Sequence, residues 1–190
     1  MATRVAVFAS GGGTNFSNLA RHAQEIGIEI VLLISDNREA YALRRAEALG
    51  IESLVCTISD YGSKATQEAA MIRALQRLDV EYILLAGYMR ILGAAFISTY
   101  EDRIINLHPS LLPAFKGRNG IEDAYDYGVK VTGVTIHLVD AGIDTGRIIA
   151  QEPVRINPED SLEDLERKIH QLEYKLYPQA LKKFLEGERR

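Results

Sequence analysis

The sequence is poor in cysteine, lacks long apolar runs and has no excess of basic residues, and each scarcity excludes a class of protein. Its single cysteine, Cys56, rules out an internal disulfide and a cysteine zinc cluster and is typical of a reducing compartment, so a cytoplasmic location is expected. No apolar run approaches the length of a membrane span. Residues 1–4 lead directly into a predicted strand that is too short for the core of a secretion signal, so no signal is expected.

The charges favour small-molecule chemistry. The chain carries 22 Lys and Arg against 26 Asp and Glu, a formal net charge of −4, with both signs interspersed. Such a surface offers no basic face to nucleic acid or to an anionic membrane, so neither is expected as a partner. With 190 residues and 47% hydrophobic content, the chain is predicted to form a single domain over 1–190. A monomer and a homodimer both stay open.

Strand and helix patterns alternate through the first part of the chain. They predict strands at 5–9, 28–34, 53–56, 82–86 and 104–108 and helices at 15–24, 40–49 and 64–78. This alternation predicts an α/β fold with a parallel sheet, helices on both faces and right-handed crossovers.

The alternation stops after residue 108. The β-type runs 129–139 and 147–154, joined by the acidic, glycine-bearing loop 140–146, predict a hairpin, so we expect a mainly parallel, mixed sheet. A last helix is predicted from Ser161, with a break at Pro178. Ligands of open α/β sheets bind outside the carboxyl ends of the strands, where several polar motifs of this chain fall.

Asn106 and His108 stand two residues apart at a predicted strand end. Because side chains alternate along a strand, both lie on one face, roughly 6.6 Å apart. An amide donor beside an imidazole suits an oxygen that becomes negative during acyl transfer. For this pair alone, a turn-capping Asn and a satisfied core His are the favoured alternative.

The glycines of 11–13 follow a strand and open a helix, where unpaired N–H groups and the helix dipole attract anions. The turn lacks the Lys of a Walker loop and the spacing of a dinucleotide fingerprint, which favours a single phosphate monoester. The equal alternative is a tight turn with Thr14 or Asn15 as the N-cap.

Asp144 lies in the hairpin loop, where Gly142 and Gly146 permit unusual backbone angles. Its carboxylate could orient an imidazole or share protons with it, although most such residues accept local N–H bonds, and Asp140 fits that alternative better. His137 alternates with Thr135 along the preceding strand, so the two could face a pocket together, or either could be an ordinary strand residue.

The segment 87–92 follows a strand and could form a wall for a flat heteroaromatic ligand, or be a core turn that Arg90 stabilises. Glu173 lies at the edge of the apolar stripe of the last helix, where a half-buried carboxylate requires a donor or cation. A boundary Glu paired with a nearby Lys is the alternative. His22 and His170 have no ligand spacing, so no metal is expected.

Four motifs together resemble the phosphoribosylglycinamide formyltransferases, a family of folate-dependent enzymes of purine biosynthesis. They are S-G-G-G-T-N at 10–15, A-G-Y-M-R-I-L at 86–92, I-N-L-H-P-S-L-L-P at 105–113 and V-T-G-V-T-I-H-L-V-D-A-G-I-D-T-G at 131–146. The last two are shared with other formyltransferases that use 10-formyltetrahydrofolate, and the glycine motif with the one-domain length points to this family.

The resemblance implies a Rossmann-like three-layer α/β/α fold and formyl transfer from 10-formyltetrahydrofolate, a cosubstrate, to the amine of 5'-phosphoribosylglycinamide. The products would be N-formylglycinamide ribonucleotide and tetrahydrofolate, with no metal required. Another 10-formyltetrahydrofolate-dependent formyltransferase or deformylase and a non-catalytic nucleotide-binding module are the alternatives. The resemblance also divides the chain into a nucleotide-phosphate side (about 1–100), a folate and catalytic side (about 80–155) and C-terminal helices (about 160–187).

The resemblance also assigns residues by position. Those matching the catalytic set are Asn106, His108 and Asp144; those matching the nucleotide site are Gly13, Thr14, Asn15 and Glu173. Those matching the folate site are Lys64, Met89, Arg90, Ile91, Leu92 and Asp140. The family often has His or Asp after Gly117, where this chain has Arg118-Asn119-Gly120, so a loop variant that keeps the catalytic three is expected.

Overall fold

The computed structural model describes residues 2–188. Its strands are β1 (Thr3–Phe8), β2 (Ile28–Ser35), β3 (Ser53–Val55), β4 (Tyr82–Leu85), β5 (Ile104–His108), β6 (Val131–Leu138) and β7 (Ile148–Arg155). Its helices are α1 (Thr14–Ile26), α2 (Tyr41–Ala48), α3 (Ile58–Tyr61), α4 (Lys64–Arg77), α5 (Ala94–Thr99), α6 (Gly120–Tyr127) and α7 (Leu162–Glu188). The residues group into two compact units, Met1–Ile105 and Asn106–Arg190.

The first unit is built around β1, whose last four side chains, Val5 to Phe8, are completely buried. A strand that is apolar on both faces is typical of a parallel sheet covered by helices. Accordingly, β1 pairs in parallel with β2 on one side and with β4 on the other, and β2 pairs in parallel with β3. The chain therefore reverses its direction of winding between β1 and β4, the place where open α/β sheets bind ligands.

The second unit contains the predicted hairpin. Strands β6 and β7 are antiparallel, in a register that runs from Val131 opposite Arg155 to His137 opposite Ile148. Seven of the eight β6 residues are buried, whereas β7 is largely exposed. Helix α7 contacts both strands and buries one face that includes Leu165, Ile169 and Leu181.

The strands of residues 2–188 form one seven-stranded sheet in the order β3-β2-β1-β4-β5-β6-β7. The sheet is mostly parallel, with an antiparallel pair at β6 and β7, and helices flank it. The prediction of a Rossmann-like α/β fold with a mainly parallel mixed sheet is confirmed. None of the helices in the described range is both long and apolar enough to cross a membrane.

Two local predictions need correction. Helix α7 continues through Pro178 instead of breaking there, so the predicted C-terminal helices are one helix. Pro178 is buried together with Leu176, Tyr177 and Leu181, and the burial of that apolar face outweighs the backbone hydrogen bond that proline cannot make. The short helices α3, α5 and α6 lie in segments for which the pattern predicted no helix.

Candidate active site

Four polar side chains of the second unit meet beside the end of β5. The Asn106 amide nitrogen lies 3.1 Å from His137 Nε2, and Asp144 lies 3.5 Å from His108 Nδ1 and 3.6 Å from His137 Nε2. His108 and His137 are almost completely buried, at 3% and 1% exposure. The structure thus brings together the three predicted catalytic residues and adds His137.

Hydrogen bonds define which ring nitrogen of His137 donates and which accepts. Its Nδ1 lies 2.8 Å from the Leu138 carbonyl oxygen, so this nitrogen carries the proton and donates. In the neutral ring, Nε2 then accepts from the Asn106 amide. Because an amide nitrogen has two N–H groups, this contact fixes the Asn106 side chain while its second N–H can serve a ligand oxygen.

His108 faces an acceptor on each side. Its Nε2 lies 2.8 Å from the Phe115 carbonyl oxygen and therefore donates, which directs Nδ1 toward Asp144. Burial is the largest influence on the pKa of His108 and lowers it; the Phe115 carbonyl and Asp144 raise it, and the net pKa lies below its usual value. At neutral pH the ring is therefore uncharged and can accept a proton at Nδ1 beside a carboxylate.

Asp144 is held in an unusual backbone conformation, with φ of 50°. Its Oδ2 accepts the Gly117 N–H at 2.8 Å. Burial raises the pKa of Asp144, but the contact with His137, the Gly117 N–H and the electrostatic influence of His108 and His137 together lower it below its usual value. Asp144 is therefore ionised at neutral pH.

The glycines of the hairpin loop act differently from the prediction. Neither Gly142 nor Gly146 has positive φ; Asp144 between them does. A Cβ on Gly146 would lie 1.9 Å from the Leu138 carbonyl oxygen. Gly146 is therefore required by a close approach of two backbones, which lets the loop fold back and carry Asp144 to the histidines.

A hydrogen-bond network of the second unit fixes the loop that follows His108. Thr135 Oγ1 donates to the Ser110 carbonyl at 2.6 Å and accepts the Leu112 N–H at 3.1 Å. Gln151 donates from its amide nitrogen to the Leu112 carbonyl at 2.8 Å and to Thr135 Oγ1 at 2.9 Å. These contacts hold the Pro109 to Phe115 loop, and with it the carbonyl that orients His108.

The atypical 118–120 segment leads into α6. Asn119 precedes the helix without a side-chain capping bond, and Gly120 is the first helical residue. A Cβ on Gly120 would lie 3.3 Å from His108 Nε2. The small residue at position 120 therefore leaves room for the His108 ring.

Asp140 and Glu173, two carboxylates of the predicted site, differ in solvent exposure and in their contacts. Asp140 is exposed, and its Oδ1 accepts from the Gly142 N–H at 3.1 Å and from Thr145 Oγ1 at 2.6 Å, the local loop bonding that was its alternative interpretation. Glu173 is 3% exposed, more buried than its edge position predicted, and its Oε2 lies 3.0 Å from His170 Nδ1. The contact with Glu173 is the largest influence on the pKa of His170 and raises it.

In the first unit, the glycine turn opens α1 as predicted. Gly13 is the N-cap with φ of 70°, and its missing Cβ would lie 2.6 Å from Ala42 Cβ, so both conformation and packing require glycine. The alternative in which Thr14 or Asn15 caps the helix is wrong, because α1 begins at Thr14 and Gly13 precedes it. Arg45 donates from Nε to the Gly12 carbonyl at 2.8 Å, which adds a cation beside the turn.

The predicted folate segment also lies in the first unit. Met89 and Ile91 are 50% and 62% exposed, whereas Leu92 is buried at 6%. Arg90 pairs with Asp36 at 2.7 Å, and Lys64, the first residue of α4, lies 3.8 Å from Glu68. Arg90 therefore does stabilise its loop, as the alternative interpretation held, and the apolar side chains beside it face solvent.

Three residues that lie beside the predicted site residues are missing from the predicted site, although His137 was considered as a pocket residue. His137 had a weak signal, its position on the strand before Asp144, but Asp36 and Glu68 had none. Each of those carboxylates is brought to its partner by the fold, across 54 residues for Arg90 and Asp36 and 25 for Glu68 and Gly93. Within residues 2–188, no set of three His, Cys, Asp or Glu side chains forms a potential metal site.

Comparison with known proteins assigns the family. The model of the formyl transferase family matches residues 3–181. The chain belongs to this family, and the resemblance seen in its motifs is confirmed.

Individual relatives have names that are more specific than that of the family. Phosphoribosylglycinamide formyltransferase of Bacillus subtilis (strain 168) is 45% identical over 184 residues, covering 96% of this chain and 94% of the relative. The crystal structure of glycinamide ribonucleotide transformylase 1 from Geobacillus kaustophilus has a TM-score of 0.94 and 44% identity over 97% of this chain and 100% of that one. The Drosophila melanogaster trifunctional purine biosynthetic protein adenosine-3 is 40% identical over 97% of this chain, which spans 14% of that protein's length.

Proposed function

We propose that this chain transfers the formyl group of 10-formyltetrahydrofolate to the amine of 5'-phosphoribosylglycinamide, giving N-formylglycinamide ribonucleotide and tetrahydrofolate, in de novo purine biosynthesis. The observation that carries the proposal is the group Asn106, His108, His137 and Asp144, in which an amide donor, a neutral imidazole and an ionised carboxylate meet. The names of the relatives that match nearly the whole chain support it.

The chemistry begins when the neutral amine attacks the formyl carbon and the carbonyl electron pair moves to the formyl oxygen. The second N–H of Asn106 donates to that oxygen as its negative charge grows. His108 accepts the proton that the attacking nitrogen loses, and the imidazolium is stabilised between the Asp144 carboxylate and the Phe115 carbonyl. As the bond from carbon to N10 breaks, that proton passes to N10 and the carbonyl re-forms.

Binding roles follow the positions assigned by the resemblance. Gly13, Thr14 and Asn15 bind the ribonucleotide phosphate, supported by the 13-residue helix whose N-terminus they form. Glu173 contacts the nucleotide. The folate donor is bound by Lys64 and Asp140 together with the segment Met89, Arg90, Ile91 and Leu92, whose exposed apolar side chains suit a flat ring.

The chain works as a single formyltransferase domain, with small-molecule substrates only. The buried free thiol of Cys56 agrees with a reducing, cytoplasmic location. A monomer or a homodimer is proposed, and sedimentation equilibrium distinguishes the two.

The experiment mixes purified protein with 10-formyltetrahydrofolate and 5'-phosphoribosylglycinamide and follows the absorbance change of donor loss, with formate measured in parallel. Donor loss that depends on both substrates, without formate, is expected. Formate release without the amine would identify a deformylase, and nucleotide binding without transfer would identify a binding module.

His108→Ala tests the roles within the site. The variant loses both the proton acceptor and the imidazolium charge, so kcat is expected to fall by roughly 10²- to 10³-fold while the circular dichroism spectrum is unchanged. A kcat near that of the wild type would overturn the assigned mechanism.

A further inference from the structure

Two carboxylates that the proposed chemistry does not use lie at the two ends of the predicted folate segment. Asp36 directly follows β2, and Glu68 lies one turn into α4. Their side chains are only 6% and 11% exposed, which is unusual for carboxylates unless partners hold them. One partner of Asp36, Arg90, belongs to the segment, and one partner of Glu68, Gly93, directly follows it.

Asp36 holds the beginning of the segment through two different oxygens. Its Oδ1 accepts the Ser10 hydroxyl proton at 2.5 Å, and its Oδ2 accepts from Arg90 Nε at 2.7 Å. Ser10 Oγ in turn accepts the Met89 N–H at 2.9 Å, and the Ser10 N–H donates to the Gly87 carbonyl at 3.0 Å. Asp36 therefore fixes a backbone amide of the segment through Ser10 and a side chain of the segment directly.

Glu68 holds the other end through one oxygen. Its Oε1 accepts the Gly93 N–H at 2.7 Å and lies 3.8 Å from Lys64 Nζ. A Cβ at position 93 would lie 2.5 Å from Glu68 Oε2, so the missing side chain of Gly93 allows the carboxylate to approach its backbone. Glu68 thus also neighbours Lys64, a second residue of the proposed folate site.

Between these two anchors the segment presents large apolar side chains to solvent, with Met89 at 50% and Ile91 at 62% exposure. A segment that is fixed at both ends loses little conformational entropy when a ligand covers it. We propose that Asp36 and Glu68 are positioning residues that hold Met89 to Leu92 in the conformation that binds the formyl donor. The identity of that ligand rests on the proposed function.

The two anchors differ in a way that makes the proposal sharply testable. Asp36 accepts one hydrogen bond with each oxygen, so Asp36→Ala removes both contacts; Asp36→Asn would not, because its oxygen can accept from Arg90 while its amide donates to the Ser10 hydroxyl. Glu68 accepts its backbone N–H with one oxygen, so Glu68→Gln keeps that bond whereas Glu68→Ala removes it. Glu52→Gln, which breaks the exposed pair of Glu52 with Arg77 in the same unit, is the matched control.

For Asp36→Ala and Glu68→Ala, the KM for 10-formyltetrahydrofolate and the Kd for tetrahydrofolate are expected to rise about tenfold, the effect of one charge-assisted hydrogen bond. The nucleotide KM and kcat are expected to stay within about threefold of the wild type, because the reacting groups are untouched. Glu68→Gln restores donor affinity to within about threefold, and the control matches the wild type.

Amide hydrogen exchange supplies a readout that does not depend on catalysis. Faster exchange confined to residues 87–93 is expected in Asp36→Ala and Glu68→Ala, because the Ser10 hydroxyl that accepts the Met89 N–H loses its support and the Gly93 N–H loses its acceptor. Equal rises in both KM values, unchanged exchange in the segment, or equal behaviour of Glu68→Gln and Glu68→Ala would each overturn the proposal.

Failure of the proposed function gives a different result. If the wild type binds tetrahydrofolate but transfers no formyl group, the function is wrong, and the pattern of Kd values and exchange rates across the variants still decides whether the carboxylates position the segment. If the wild type does not bind tetrahydrofolate, both proposals are overturned.

Discussion

Replacement of Asp144 by asparagine isolates the charge of the proposed active site. The two side chains have nearly the same shape, and the asparagine oxygen can still accept the Gly117 N–H that holds the loop. What is lost is the negative charge 3.5 Å from His108 Nδ1, between side chains that are 13% and 4% exposed. The variant therefore tests whether the imidazolium form of His108 matters.

The magnitude follows from the distance between the charges. Both are delocalised, so their centres lie about 5 Å apart, and at an effective dielectric constant of about 20 their attraction is roughly 3 kcal/mol. If this attraction is realised only when His108 takes up a proton during the reaction, kcat falls by about 10²-fold.

The pH dependence provides an independent check. Asp144 raises the pKa of His108, so its neutralisation lowers that pKa further below the usual value. Because the neutral ring is the form that accepts the proton, the acidic fall of kcat/KM is expected to move to lower pH in Asp144→Asn.

The assay is steady-state transfer measured from pH 5 to 9, that is, across the range in which an unperturbed His near 6.5 titrates. Asp164→Asn, which removes a carboxylate at the start of α7, serves as the control and is expected to transfer at the wild-type rate. A kcat for Asp144→Asn within about threefold of the wild type, or an acidic limb that does not move, would refute the assigned role.

Three further variants test separate parts of the molecule. Thr14→Glu places a negative charge at the N-terminus of α1 and is expected to raise the nucleotide KM by about tenfold while leaving the donor KM unchanged; equal rises would mean that the turn is only structural. His137→Ala removes the acceptor of the Asn106 amide, so kcat is expected to fall about tenfold with little change in either KM, and an unchanged kcat would contradict this role. Ser161 directly precedes α7, and its hydroxyl accepts the Asp164 N–H at 3.2 Å. Ser161→Ala removes this bond, so scanning calorimetry is expected to show Tm lower by about 2–4 °C with unchanged activity, and an unaltered Tm would mean that the hydroxyl does not stabilise the start of α7.

Strand positions were predictable to within about two residues because apolar residues alternate with polar ones or form short continuous runs in strands. Strand β5 has the predicted bounds, and the hairpin of β6 and β7 follows from its two apolar runs and the loop between them. Pro178 shows where local rules fail: a residue that usually ends a helix lies inside α7, because the apolar face on both sides of it is buried.

For the candidate site, spacing alone placed Asn106 and His108 on one face, because the repeat of a strand is two residues. The spacing could not predict which partners the two ring nitrogens of His108 have. That depends on the Phe115 carbonyl and on Asp144, which loop 109–115 and the folded-back hairpin loop bring to the ring. Likewise, Gly146 was predicted to supply an unusual angle and instead permits a close backbone approach.

Local pattern in the amino-acid chain thus predicts the strands and the helices α1, α2, α4 and α7, and its motifs identify the family and the residues suited to formyl transfer. Three-dimensional packing decides the pKa shifts of those residues and the hydrogen-bond partners that hold them. The Asn106 contact with His137 and the anchoring of Met89 to Leu92 by Asp36 and Glu68 join residues far apart along the chain. Because such hydrogen bonds and the burial that shifts a pKa exist only once distant segments meet, no short stretch of sequence carries a signal for them.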